Sequence, residues 1–250
     1  MRGGELDSRQ KAESRKQKAE SRVLLMALCF LPIAYCFLST AHETIRPMTV
    51  FLIASNNAHK HQELGEIFAM HGLQDAQLIM PREVGITIDP EENADTYAGN
   101  ALIKARAFAA EPKRHPDWLV LADDSGLEVD ALDGRPGLLS ARYHKAAPNG
   151  DGCTELLREM VGVPTVERSA RFRAVLALID TTGTEHLFEG VCEGAIGPAQ
   201  RGVGGFGFDP VFAVASSGDK RHMAELSPDE KHRISHRGLA MQKLIRGLGL

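Results

Sequence analysis

The sequence predicts an α/β fold, and three observations support this prediction. Two apolar runs, 49–54 and 118–122, each stop abruptly at polar residues, as buried strands do. The first run is followed at once by sequence with helical periodicity. In the second half of the chain, an alternating segment at 170–179 is joined by a turn to a returning strand at 185–196. With 250 residues, 43% of them hydrophobic, the chain can bury one sizeable core.

The first strand passes into a helix through the polar segment Ser55-Asn56-Asn57. Leu64, Ile67 and Phe68 then repeat at helical spacing, and Gly72 is a suitable stop. Residues 76–90 are predicted to form a strand and a loop.

A second helix is predicted to begin at a cap formed by Asp95 or Thr96. Its apolar side chains predict a buried stripe made of Ala98, Ala101, Leu102, Ala105, Phe108 and Ala109. Asn100 and Lys104 lie four residues apart, outside that stripe and on one shared face.

Two adjacent carboxylates, Asp123 and Asp124, follow the strand at 118–122. We predict a tight turn here, followed by a further strand at 127–132. In α/β proteins this end of a strand is where ligands bind. Neighbouring side chains on a strand point to opposite faces, so the chain must bend if both acids serve one site. Mg²⁺ with substrate phosphates would relieve their repulsion, and a solvated Asp-Asp turn is the alternative.

The second half begins with a loop at 133–150 that is rich in glycine and proline. A helix is predicted at 153–161, followed by the hairpin. The glycine-rich stretch 202–207 precedes a further predicted strand at 210–214.

A clear helix start follows at Ser227-Pro228-Asp229-Glu230, in which Ser227 caps the helix and proline is its first residue. On one straight helix, Lys231 would lie about 140° from His236 and about 120° from Arg237. They could not easily meet one ligand. We therefore predict a break near Ser235 and a new helix that begins at His236; one continuous surface helix is the alternative.

The net charge of -4 argues against a sequence-independent nucleic-acid binder. The 4 cysteines form no CxxC pair and no zinc spacing, which is typical of reduced thiols in a cytosolic protein.

Residues 1–47 are predicted to lie outside the folded domain, which would span 48–250. The segment 1–22 is highly charged and contains Lys-Ala-Glu-Ser-Arg twice, and 23–38 is a continuous apolar run. This run resembles a signal peptide or an anchor. The interpretation we favour is translation from Met48, directly before the first strand, and membrane association is not expected.

Taken singly, the polar motifs have both functional and structural interpretations. The segment Ser55–Lys60 lies at a helix N-terminus, where backbone N–H groups favour a phosphate, although asparagine is also a common cap. Glu91 and Glu92 offer carboxylates to a hard cation, or form an exposed acidic loop. In Gly204–Pro210, glycines allow close approach to a ligand and Phe206 or Phe208 could stack on a base; a hairpin with core aromatics is the alternative.

In their order along the chain, these motifs resemble those of the inosine triphosphate pyrophosphatase family, most closely its bacterial dITP/XTP members. The motifs are Ser-Asn-Asn-x-x-Lys, Glu-Glu, Asn-Ala-x-x-Lys-Ala, Ala-Asp-Asp-Ser-Gly-Leu, Gly-Gly-Phe-Gly-Phe-Asp-Pro and Lys-x-x-x-x-His-Arg-Gly. The resemblance covers about residues 48 to 250. The extension before Met48 departs from the family, and Phe208 stands where many relatives carry tyrosine or tryptophan.

The resemblance implies a two-lobed α/β structure, with a long twisted mixed sheet flanked by helices and a substrate cleft between the lobes. It implies a cytoplasmic homodimer that uses Mg²⁺ to split ITP, dITP or XTP into a monophosphate and pyrophosphate. Asp124 would be the catalytic base, and Glu92, Asp124 and Asp123 would hold the metal. The residues implied to bind substrate are Ser55, Asn56, Asn57, Ala58, His59, Lys60, Asn100, Lys104, Ser125, Phe206, Gly207, Phe208, Asp209, Lys231, His236 and Arg237.

Two other functions remain open from sequence. A related pyrophosphatase would prefer pyrimidine or modified bases. A nucleotide-binding protein without catalysis would have lost an acid or a lysine, and none of the expected positions is missing.

Overall fold

The computed structural model describes residues 49–73, 75–217 and 220–249. The strands are β1 (Val50–Ile53), β2 (Gln77–Ile79), β3 (Leu119–Val129), β4 (Ser169–Ile179), β5 (Glu185–Ile196) and β6 (Phe212–Val214). The helices are α1 (Ala58–Met70), α2 (Tyr97–Ala109), α3 (Ser140–Ala146), α4 (Gly152–Glu159), α5 (Pro228–Ile234) and α6 (His236–Leu248). Among these helices, none is long and apolar enough to cross a membrane. The predictions for residues 1–47 lie outside the described residues.

The six strands form one sheet in the order β2-β1-β3-β4-β5-β6. β1 pairs in parallel with β2 and β3, whereas all the later pairs are antiparallel. The parallel part follows from the helical crossovers α1 and α2, which return the chain to the same end of the sheet. The predicted α/β class, with a mixed sheet flanked by helices, is therefore confirmed.

Alternate residues of β3 enter different cores because strand side chains alternate between faces. Leu121 packs with α1 and α6 on one face of the sheet, which we call the α1/α6 face. Val120 and Ala122 pack against α2 on the opposite face, the α2 face. Farther along β3, Leu127 and Val129 join a third core with Phe172 of β4.

The predicted tight turn at the adjacent aspartates was wrong. β3 runs without interruption from Leu119 to Val129, and Asp123 and Asp124 pair with Leu176 and Val175 of β4. The long antiparallel partner supplies backbone hydrogen bonds through the whole segment, so the chain continues as a strand past its polar residues.

The predicted stripe of α2 was partly wrong. Ala101, Ala105 and Phe108 are buried, but Ala98, Leu102 and Ala109 are only partly covered. Two polar residues, Asn100 and Lys104, are buried in their place. The helix therefore turns its polar pair toward the sheet, because that pair has partners there.

The separate strand predicted at 127–132 was also wrong, since β3 ends at Val129 and Asp130–Leu132 form a 3₁₀ turn. The remaining elements follow the prediction closely. The hairpin and α4 lie where expected, and the loop 133–150 contains the short helix α3. The predicted strand at 210–214 begins two residues later, after a 3₁₀ turn at Asp209–Val211. The helix break is confirmed: Ser235 has extended backbone angles, ends α5 and caps α6 by accepting from the Gly238 N–H.

Candidate active site

The free edge of β3 beyond the end of β1 forms the centre of the site. The Ala54 N–H donates to the Leu121 carbonyl at 2.8 Å, and β1 ends just before Ala54. The Asp123 carbonyl is two residues farther along the same edge. Two ammonium groups donate to it, Lys60 Nζ at 3.2 Å and Lys104 Nζ at 2.9 Å. Helices α1 and α2 thus each bring a lysine to the carboxyl end of a parallel strand.

On the α2 face, Lys104 joins two carboxylates. Its Nζ lies 3.4 Å from Asp124 Oδ1 and 3.1 Å from Glu92 Oε2. The second oxygen of Asp124, Oδ2, is buried and has no hydrogen-bond partner in the described part of the protein. Burial raises the pKa of Asp124, and Lys104 offsets this only in part. This carboxyl group is therefore a stronger base than an ordinary aspartate.

On the α1/α6 face, Asp123 is held by cations. Arg237 Nε and Nη2 lie 3.2 Å and 2.9 Å from Asp123 Oδ2, and Lys60 Nζ lies 2.9 Å from the same oxygen. Arg237 Nη2 also donates to Ser125 Oγ at 3.0 Å. Burial alone would raise the pKa of Asp123, but Arg237 and Lys60 outweigh it and lower that pKa.

A second layer of ion pairs supports Arg237. Glu63 of α1 accepts from Arg237 Nη1 and lies 2.9 Å from Lys231 Nζ. Lys231 also lies 2.8 Å from Asp209 Oδ2. Burial alone would raise the pKa of Glu63, but Arg237 and Lys231 hold it at about 2. For Asp209, burial prevails over Lys231 and raises the pKa.

The glycine-rich loop presents one aromatic ring and buries the other. Phe206 is partly exposed, and Lys231 Nζ lies 5.0 Å from its ring centroid. Phe208 is buried and packs on His144 at a centroid distance of 4.3 Å. Gly207, between the two rings, has a φ of 62°, which turns them in different directions. Phe206 is the ring available to a ligand, and Phe208 belongs to the core.

The polar segment before α1 satisfies much of its own hydrogen bonding. Asn57 caps the helix and accepts from the N–H groups of His59 and Lys60, and its own N–H donates to Ser55 Oγ. Asn56 donates to the Ile88 carbonyl at 3.4 Å. The backbone N–H groups of His59 and Lys60 are therefore already bonded in this structure and not available to a phosphate. The cation that this segment offers is Lys60 Nζ.

Two further predicted residues, Asn100 and His236, are buried. Asn100 accepts from the Ala94 N–H at 2.9 Å and so holds the loop before α2. His236 is stacked on Phe172 at 4.8 Å, and its Nδ1 is buried without a partner within the described residues. Burial lowers the pKa of His236 to about 3, so this imidazole is neutral at pH 7.

Sequence reasoning missed two residues of this site. Glu63 lies among the buried positions of α1, three residues after Lys60 and four before Ile67, and a charge on an apolar stripe is a usable signal. Arg142 lies on α3 and donates to the Glu92 carbonyl at 3.1 Å, fastening the acidic loop. Nothing in the local sequence of Arg142 indicates this contact.

The carboxylates fit a hard cation only in combination with other oxygens. Asp124 and Glu92 share Lys104, and Asp124 Oδ2 has no hydrogen-bond partner among the described residues, whereas Asp123 points to the opposite face. Residues 49–73, 75–217 and 220–249 contain no group of three or more His, Cys, Asp or Glu side chains that could hold a metal. Mg²⁺ commonly binds through one or two carboxylates plus substrate phosphates, which suits this pair.

The fold and the site define a class: an α/β protein that places two lysines, one buried and one partly exposed, and a buried carboxylate at the end of a parallel strand. The sequence profile of the Ham1 family matches residues 51–247. The chain belongs to this family, and the resemblance drawn from its motifs is confirmed.

Individual relatives agree in sequence and in structure. A dITP/XTP pyrophosphatase of Corynebacterium diphtheriae is 43% identical over 198 residues, which are 78% of this chain and 94% of that protein. The dITP/XTP pyrophosphatase of Geobacillus kaustophilus is also 43% identical over 198 residues, 79% of this chain and 93% of its own. A HAM1 protein from Coxiella burnetii superposes with a TM-score of 0.68 at 36% identity, covering 81% of this chain and 99% of its own.

Proposed function

We propose that this protein hydrolyses deaminated purine nucleoside triphosphates, such as ITP, dITP and XTP, to the monophosphate and pyrophosphate. The observation that carries the proposal is Asp124, a buried carboxylate beside two lysines, with a raised pKa and one oxygen that has no hydrogen-bond partner among the described residues. The names of the relatives, dITP/XTP pyrophosphatases, support the same substrates.

In this structure the ammonium groups of Lys60 and Lys104 donate to the Asp123 carbonyl. In the proposed reaction they donate to the triphosphate instead. Phosphate oxygens carry full negative charge, so they are stronger partners for ammonium groups than a carbonyl is. Asp124 accepts a proton from the water that attacks the α-phosphorus, and pyrophosphate leaves. Mg²⁺, held by Glu92 and Asp124, would polarise the water and neutralise phosphate charge.

Asp123 has a different part in this proposal. It lies on the α1/α6 face and holds Arg237 and Lys60 in place. Arg237 and His236 would lie beside the purine, with Ser125 and Phe206. An arginine N–H donor suits the 6-oxo group of hypoxanthine or xanthine, whereas the 6-amino group of adenine would present a second donor.

The test is hydrolysis of ITP in ¹⁸O-labelled water with Mg²⁺, followed by mass spectrometry of both products. Attack at the α-phosphorus places the label in IMP and leaves pyrophosphate unlabelled. Labelled pyrophosphate, or release of inorganic phosphate, would overturn the proposed chemistry. A panel of XTP, GTP, ATP and dTTP tests the base preference, and a higher kcat/KM for dTTP than for ITP would refute it.

We also propose that the protein acts in the cytoplasm, where nucleoside triphosphates are made. Its proposed assembly is a homodimer. Sedimentation equilibrium of residues 48–250 would measure the mass of the assembly.

A further inference from the structure

His59 and Phe206 face each other across the mouth of the site. Their ring centroids are 5.6 Å apart, and their planes differ by only 16°. His59 lies in the first turn of α1, and Phe206 lies on the glycine-rich loop, about 150 positions later in the chain. The two rings therefore join separate elements by a face-to-face contact.

The two sides of this contact differ in how firmly they are held. Asp209 Oδ2 accepts from the Phe206 N–H at 2.8 Å, and Lys231 and Arg237 lie 5.0 Å and 5.7 Å from the ring centroid. His59 is exposed, and within the described part of the chain its imidazole makes no hydrogen bond. Phe206 is therefore a fixed wall, and His59 is free to change rotamer.

The neighbouring residue already serves the phosphate side of the site. Lys60 reaches the Asp123 carbonyl and carboxylate, whereas the His59 ring lies flat against an aromatic face. Adjacent positions on a helix are about 100° apart, so these two side chains address different parts of one ligand.

We propose that His59 is the second wall of the purine slot and that the base inserts between His59 and Phe206. This inference rests on the proposed function and extends it to base recognition. Three stacked rings need two contacts of about 3.5 Å, so the outer rings must lie about 7 Å apart. The ring centroids are 5.6 Å apart at present, so the two rings must separate to admit a base, and the exposed His59 is the side chain that can move.

The test compares three substitutions of His59 with a matched control on the same helix. His59→Ala removes the ring, His59→Phe keeps a stacking face, and His59→Gln keeps hydrogen bonding without a ring. Gln62→Ala is the control, because Gln62 is exposed and its side chain, among the residues the structure describes, bonds to Glu66 alone. The readouts are KM for ITP and the inhibition constants of IMP and of inorganic tripolyphosphate.

Stacking of a base on a ring commonly corresponds to a 5- to 100-fold effect on affinity. We expect His59→Ala to raise KM for ITP and the inhibition constant of IMP by about that factor. The inhibition constant of tripolyphosphate, which has no base, should change by less than about two-fold. His59→Phe should restore the wild-type values, and His59→Gln should not. Thermal melts would establish that each variant is folded.

Four outcomes would overturn the inference. Rescue by glutamine and not by phenylalanine would indicate a hydrogen bond, and an equal loss of tripolyphosphate affinity would indicate a phosphate contact. An unchanged KM for His59→Ala would show that the ring does not contact the base, and a lower KM would show that the ring obstructs the site. Failure of the proposed function is separate. Wild-type protein that binds IMP in calorimetry but does not hydrolyse ITP would refute the activity, while the effect of His59→Ala on IMP binding would still test the slot.

Discussion

The two faces of β3 carry adjacent aspartates in opposite electrostatic states. On the α1/α6 face, Arg237 and Lys60 bind one carboxylate oxygen of Asp123, and its pKa is lowered despite burial. The other oxygen, Oδ1, is buried without a hydrogen-bond partner among the described residues. On the α2 face, Asp124 has a longer contact of 3.4 Å with Lys104, and its pKa is raised. Identical side chains next to each other in sequence therefore have different environments, because a strand sends them to opposite faces.

The difference teaches how one strand provides both rigidity and reactivity. Four cations, Lys60, Lys104, Lys231 and Arg237, meet five carboxylates at this site. The cations concentrate on the Asp123 face, so the uncompensated charge remains on the Asp124 face. A carboxylate whose charge is only partly compensated suits both a general base and a divalent cation.

The largest expected effect is on turnover, and it belongs to the Asp124 face. Asp124→Asn should lower kcat for ITP by about 10² to 10⁴, because general-base catalysis is lost. Pyrophosphate release would be measured beside a thermal melt. An Asp124→Asn variant that is folded and retains more than a tenth of the wild-type kcat would exclude Asp124 as the base.

The same comparison predicts the reverse order for stability. Asp123→Asn removes a partner from buried Arg237 and should lower the free energy of unfolding by about 3–5 kcal/mol. Asp124→Asn should change it by less than about 1 kcal/mol, since burial already disfavours that charge. Urea unfolding of both variants measures the difference. Equal losses of unfolding free energy in the two variants would show that Asp123 and Asp124 contribute equally to stability.

Unfolding of Glu63→Gln over a range of pH tests the ion pairs of the α1/α6 face. The pKa of Glu63 is about 2 in the fold against 4.5 for the free group, so its carboxylate stabilises the folded state above about pH 4.5. That contribution, about 3 kcal/mol, is lost as the pH falls toward 2.

Glu63→Gln should therefore be less stable than wild type at pH 6, and the two unfolding free energies should converge between pH 4.5 and 2. The measurement is urea unfolding at each pH. A constant difference across that range would contradict the assigned ion pairs.

The smallest expected effect concerns the acidic loop at Glu91 and Glu92, which meets Lys104 on the α2 face. Arg142→Ala removes one hydrogen bond to the Glu92 carbonyl, which corresponds to about a 2- to 10-fold change in affinity. The Mg²⁺ concentration that gives half-maximal activity should rise by that factor. Glu91→Gln, an exposed neighbour, is the matched control and should leave it unchanged. A fall for Arg142→Ala with a rise for Glu91→Gln would show a general charge effect on the loop in place of the lost hydrogen bond.

Much of the local structure was predictable from sequence. The capping box at Ser227 and the break at Ser235 were predicted because caps and stops are local hydrogen-bonding choices of neighbouring residues. The strands of the hairpin follow from period-two alternation, and the order of short motifs identified the family before any contact was known.

The tertiary structure alone decided the course of the acidic segment and the partners of each charge. A turn was expected at Asp123 because polar residues commonly end a buried strand, yet pairing with β4 carries the strand through them. Glu63 and Arg237 are 174 residues apart, and no local pattern links them. Local sequence determines where helices and strands begin and end, whereas long-range pairing determines which charges are neutralised and which one remains free to react.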